Sequence, residues 1–167
     1  MPRMSQTASR LDRVLDSLPA RYPGPGGAVA VLREGQVVAS RCWGWADAGR
    51  RLPFTERTPF LVCSITKQFT CALLLDLFPD PTVLDDEIRR LMPDLAGEAP
   101  GILDLCHNQS GLRDYWAEAM LCGAPVEGHF GPEEARWLIG RTRTLHFRPG
   151  TRFSYVNQNF RLLSEII

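Results

Sequence analysis

The sequence predicts an α+β fold, with a β-hairpin near the start followed by a lobe of short helices. Two β-rich runs, residues 28–32 and 36–42, flank Glu34 and Gly35, the signature of a hairpin around a tight turn. Ahead of them Leu11, Val14, Leu15 and Leu18 recur at helical spacing. Beyond Ser64 the pattern turns helical, in short segments punctuated by proline and glycine.

Taken in order, an amphipathic helix opens the chain and breaks at the Pro/Gly stretch 22–27. The hairpin follows. Residues 43–47 and the polar stretch up to Pro59 read as loop. A helix is expected from Ser64 to Phe78, ended by Pro79 and Pro81. Short helices are expected over 85–92, stopped by Pro93, and over 102–107, stopped by 108–111. Two more fall at 115–121 and 132–139, the latter with proline in its first turn. Residues 146–150 form a turn, and 160–167 an amphipathic helix. The acidic residues Asp85, Asp86, Glu87, Glu133 and Glu134 read as helix N-terminal charges. A two-stranded hairpin does not make a stable sheet alone, so further strands are expected downstream. No capping or breaking residue follows the last helix, so residues 1–167 are expected to be the N-terminal part of a longer domain.

With 167 residues, 44% hydrophobic and 23% charged, the chain has the composition of a globular protein with a real core. Its formal net charge is zero and no block of like charge appears, which argues against nucleic acid or a membrane as the main partner. No apolar run reaches the length of a signal peptide or a membrane span, so a cytoplasmic protein is expected. Cys42, Cys63, Cys71, Cys106 and Cys122 form no CxxC pair and no metal-ligand spacing. They read as free thiols, mostly small buried core residues. Cys63 stands apart because it precedes the candidate nucleophile.

The cationic residues are eighteen arginines and one lysine, Lys67. Lysine differs from arginine chiefly in being able to give up its proton when buried, so the lone lysine asks for a reason. Ser64 lies three residues before it. Serine is a favoured helix N-cap and lysine is common on helix surfaces, so the spacing alone is weak evidence. Yet residues i and i+3 share a helix face, so the ammonium reaches the hydroxyl. A helix N-terminus helps hold an oxyanion, and a desolvated lysine there acts as base toward the serine. A second candidate set is Tyr155 and Asn157. In an extended or loop segment, i and i+2 point to one side, so a proton-relaying phenol and a carbonyl-binding amide converge. His129, in the sequence His129-Phe-Gly131, imitates an H-x-G motif but precedes Tyr155 in a Gly/Pro-rich loop and reads as a decoy. His107 and His146 read as residues that cap or pack near turns. No G-x-S-x-G pattern supports a Ser-His-Asp triad.

Ser64-x-x-Lys67 followed by Tyr155-x-Asn157 resembles the penicillin-recognising serine enzymes, the serine β-lactamases and DD-peptidases, in their class C branch. Within that family the chain is similar to the bacterial D-aminopeptidases. The stretches that carry this are Gly24-Pro-Gly-Gly-Ala-Val-Ala-Val31, Cys63-Ser-Ile-Thr-Lys-Gln-Phe-Thr-Cys71, Asn108-Gln-Ser-Gly-Leu-Arg-Asp-Tyr-Trp116 and His146-Phe-Arg-Pro-Gly150. The resemblance implies a β-lactamase/transpeptidase-like fold, incomplete here, with the first hairpin of its sheet and the mainly helical lobe. It implies Ser64 as acylated nucleophile, Lys67 as its base, Tyr155 as proton relay and Asn157 as a substrate-binding amide. The implied reaction releases an N-terminal D-amino acid from small peptides, amides or esters through an acyl-enzyme, without metal or cofactor. An esterase or β-lactamase of the same family is the alternative, and a non-catalytic ligand-binding remnant is the alternative of another class. A homodimer is left open for the full-length enzyme. Family members are longer and carry a third motif, H-x-G, on a later strand that also supplies an oxyanion N–H. The isolated chain is therefore expected to have little or no activity and to expose apolar surface.

Overall fold

The structure is a computed structural model that describes residues 3–125 and 131–167, with side chains from Arg10 onward. It contains two compact units, Met1–Leu61 and Val62–Ile167.

In the first unit, helix α1 (Arg3–Arg21) is followed by strands β1 (Gly26–Arg33), β2 (Gln36–Asp47) and β3 (Leu52–Pro53), which form one antiparallel sheet in that order. Leu15 of α1 is buried. Asp12 and Asp16 of the same helix pair with Arg41 of β2, at 3.1 and 2.8 Å. The hairpin turn is where the sequence puts it, with Glu34 and Gly35 both at positive φ as a tight turn requires. The expected loop at 43–47 is instead the continuation of β2. Gly44 pairs with Gly26 and Trp43 with Gly27, and Trp45 N–H donates to the Pro25 carbonyl at 2.5 Å. Gly44 sits at φ +69°, and a Cβ there would meet the Pro25 carbonyl oxygen at 2.3 Å. Glycine lets the two backbones approach closely enough to keep pairing, and this hid the strand from a reading by β-propensity. The further strand the hairpin calls for is the two-residue β3, inside the expected loop; no later strand occurs among the described residues.

The second unit is helical. A 3₁₀ turn (Cys63–Ile65) leads into α2 (Thr66–Leu77), and a second one (Pro81–Leu84) into α3 (Asp85–Leu91). Then come α4 (Ile102–Cys106), α5 (Tyr115–Leu121), α6 (Pro132–Gly140) and α7 (Asn157–Ile166). The acidic residues of α3 and α6 do occupy first turns, and Glu134 also accepts from Gly131 N–H at 2.9 Å. Helix α7 starts three residues earlier than its apolar pattern suggests, because its first turn is polar yet packed inward. Gln158 and Asn159 are buried beside Leu162 and Leu163. It packs against α2, α3, α4, α5 and α6 and so forms the axis of the unit. The core around it gathers Leu74, Ile88, Met92, Ile102, Leu105, Leu112 and Ile139. No helix among the described residues is long and apolar enough to cross a membrane.

The thiols differ from expectation. All five cysteines are free, but none is fully buried: Cys63 and Cys122 are exposed, the others half-buried. Cys106 on α4 packs against the core from its margin. Burial first, and then its contact with Cys71, push the Cys106 thiol up to about 12.

Candidate active site

Ser64, Lys67, Tyr155 and Asn157 all belong to the second unit and meet at one point. Ser64 is not the N-cap of α2. It lies in the preceding 3₁₀ turn, and α2 begins with no side-chain cap bond. Its hydroxyl is thereby left free of helix capping and turned to other partners. Lys67, in the first turn of α2, reaches back one turn and donates from Nζ to Ser64 Oγ at 3.1 Å. The Tyr155 hydroxyl donates to the same Oγ at 2.7 Å. Lys67 Nζ also donates to Asn157 Oδ1 at 2.9 Å. Cys63, just ahead of the serine, holds φ +46°, a left-handed conformation that costs a non-glycine residue on the order of 1–2 kcal/mol.

The two halves of the cluster come from segments about ninety residues apart in sequence. Asn157 proves to be the first residue of α7, so Tyr155 and Asn157 do not share one extended segment. Val156 is extended (φ −141°, ψ 140°) and buried, and the chain turns into the helix immediately after it. The two side chains still converge, one on Ser64 and the other on Lys67, across the junction between an extended residue and the helix.

That junction is held by the segment 108–114. Asn108 ends α4 at φ +56°, a conformation asparagine tolerates, and its carbonyl accepts from Ser154 N–H at 2.8 Å. Its side-chain Oδ1 accepts from Asn159 Nδ2 at 3.0 Å. Buried Ser110 donates to Asn159 Oδ1 at 2.5 Å. Gly111, at φ +76°, accepts from His146 N–H at 2.7 Å and leaves no room for a Cβ, which would lie 2.2 Å from the Phe147 carbonyl oxygen. Asp114 accepts from Trp116 and Ala117 N–H through Oδ1, at 2.9 and 3.3 Å, and from Asn157 N–H through Oδ2 at 2.6 Å.

Electrostatics in the cluster act on the phenol. Hydrogen bonding to Lys67 first, and to Ser64 second, holds Tyr155 below the usual tyrosine range. Burial and the charge of Asp114 oppose this more weakly. Lys67 Nζ lies 4.9 Å from the centre of the Tyr155 ring and 5.3 Å from that of Phe160, so two aromatic faces flank the ammonium. A cavity of about 450 Å³ opens beside Ser64, lined among others by Lys67, Tyr115, Trp116, Asn157 and Arg161. A nucleophile with a cation and an acidic phenol on one oxygen, next to a cavity, is suited to acyl transfer.

The sequence missed Phe160, Asn108, Ser110 and Asp114. Phe160 was findable as the residue three positions after Asn157, on the same face of α7. The other three lie inside the stretch 108–116, where nothing in their types announces a contact to a segment 43 to 51 residues later. His107 and His146 sit near turns, His107 at the C-cap of α4 and His146 bonded through its backbone to Gly111. His129 lies outside the described residues.

Comparison with known proteins shows the family of the chain. The family described as Beta-lactamase matches residues 11–167. A D-aminopeptidase of Gluconobacter oxydans is 59% identical over 160 residues, which cover 96% of this chain and 30% of the relative. A D-aminopeptidase of Brucella anthropi is 50% identical over 159 residues, 95% of this chain and 31% of the relative. Among solved structures, the D-amino acid amidase of Ochrobactrum anthropi superimposes with a TM-score of 0.68 at 25% identity, over 92% of this chain and 42% of its own. The chain thus spans less than a third of the length of these curated relatives.

Proposed function

The chain belongs to the beta-lactamase family, and on that premise we propose that it carries the nucleophile wall of a serine hydrolase that releases N-terminal D-amino acids. One observation carries the proposal: Lys67 Nζ and the Tyr155 hydroxyl meet on Ser64 Oγ, at 3.1 and 2.7 Å. Relatives and a structural neighbour named for D-aminopeptidase and D-amino acid amidase activity support the substrate class.

In the proposed reaction the reactive form carries Lys67 as a neutral amine: Ser64 Oγ attacks the carbonyl carbon of the N-terminal residue and its proton passes to Lys67 Nζ, which becomes the ammonium. Lys67 is the base and keeps Tyr155 acidic. Tyr155 then delivers the proton to the leaving amine as the C–N bond breaks, leaving an ester on Ser64. Water attacks that ester, its proton returns through the same pair, and the D-amino acid departs. Asn157, bonded to Lys67, orients the lysine and offers its amide N–H₂ to a substrate carbonyl.

The chain spans 30% of the length of the relatives, so the proposal locates this part of the work here and the remainder in residues that those relatives carry beyond it. Hydrolysis of D-alanine p-nitroanilide, an ester and a chromogenic cephalosporin is the test, on the 167-residue chain and on the whole product of its gene. The proposal expects the anilide to be the preferred substrate of the whole product, with Ser64→Ala abolishing turnover and the 167-residue chain slower. Preference for the cephalosporin or the ester would move the protein to another branch of the family, and turnover that survives Ser64→Ala would end the proposal.

A further inference from the structure

Helix α7 begins with Asn157, and no side chain of its own N-terminal segment caps it. Its first N–H groups have no intrahelical partners and need acceptors from elsewhere. Asp114 provides one. The same carboxylate caps α5 through Oδ1, bonded to Trp116 and Ala117, while Oδ2 accepts from Asn157 N–H at 2.6 Å. One half-buried group thus joins two helix starts, and each start bears on the cavity beside Ser64. Trp116 lines it from α5, and Asn157 lines it from α7 while holding Lys67 Nζ at 2.9 Å. A negative charge at a helix N-terminus is favourable, and here it serves two.

We propose that Asp114 is a positioning residue of the site: it fixes the backbone of Asn157, and through the Asn157 side chain the place of Lys67 relative to Ser64. That Lys67 acts on Ser64 rests on the function proposed above; that Asp114 sets the place of Lys67 does not. A plain N-cap role for α5 makes a different prediction, because asparagine and serine cap helices about as well as aspartate. Asp114→Asn and Asp114→Ser both keep one oxygen for Trp116 and Ala117 and remove the second acceptor facing Asn157.

The chain's single lysine makes the test direct, since isotope-labelled lysine gives one side-chain signal in an NMR spectrum. Asn157→Ala, which removes the Lys67 partner, supplies the reference displacement of that signal. The proposal expects both Asp114 variants to move the lysine signal in the same direction as Asn157→Ala, with thermal stability close to that of the parent chain. It also expects Ser64 to react with a fluorophosphonate about ten- to a hundredfold more slowly, the cost of a small misplacement of a reacting group. A lysine signal unmoved in a folded Asp114 variant, while Asn157→Ala moves it, overturns the proposal. Two variants are made so that one folded protein suffices. Should the whole product of the gene not react with the fluorophosphonate, the proposed function is what fails, and the lysine signal still decides the role of Asp114.

Discussion

Tyr155 and Tyr115 stand about forty residues apart and are pushed in opposite directions. Contact with Lys67 lowers Tyr155, whereas burial, followed by the charge of Asp114, raises Tyr115. A folded-state value below the unfolded one, which is about 10, means that Tyr155 adds stability above the unfolded value and loses it as pH falls through the folded one. Ultraviolet difference titration is expected to show a tyrosine ionising below the ordinary range, absent in Tyr155→Phe and returned toward that range in Lys67→Met. Identical titrations for the parent chain and Tyr155→Phe below that range would contradict this assignment. The convergence of the four candidate residues was legible because their chemistry is uncommon at those spacings: a lone lysine among arginines, three residues after a serine. Asp114 was not legible, since an aspartate before a helix is ordinary, and its second contact exists only once α7 is in place.

Among the elements, the short helices could be read because proline, glycine and asparagine end them and apolar spacing marks the inward face. The reading failed where the backbone itself makes the contact. Strand β2 runs on through Gly44 because two backbones approach there, and the first turn of α7 is polar because Gln158 and Asn159 bond inward. The segment 108–111 belongs to the same class and its integrity can be measured. Gly111→Ala places a Cβ 2.2 Å from the Phe147 carbonyl oxygen at φ +76°. Left-handed backbone alone costs a non-glycine residue roughly 1–2 kcal/mol, and the clash adds to it. Urea unfolding is expected to show a loss of about 2 kcal/mol or more; a change within about 0.5 kcal/mol, typical of surface substitutions, would mean that the loop has room to shift. Breaking the buried Ser110–Asn159 bond with Ser110→Ala is expected to cost about 1–3 kcal/mol, because it leaves the asparagine amide without its donor.

At the scale of the whole molecule, the β-lactamase-like character is carried by a small sheet in one unit and a helical lobe in the other, and the entire candidate site lies in the lobe. Helix α2 holds Lys67 while exposing Phe69, Leu73 and Leu77, four residues apart along one side. A stripe of that kind is expected to bind a hydrophobic dye such as ANS, and a chain that leaves the dye dark would show the stripe to be covered in solution. The central claim is that Ser64 is the nucleophile and that Lys67 and Tyr155 act on it. Mass spectrometry of the protein after treatment with a fluorophosphonate, followed by peptide mapping, tests it most directly. The expected result is one label on Ser64, lost in Ser64→Ala and slowed at least about a hundredfold in Lys67→Arg, which keeps the charge but cannot accept the proton. A label on Cys63, or undiminished labelling of Lys67→Arg, would contradict it.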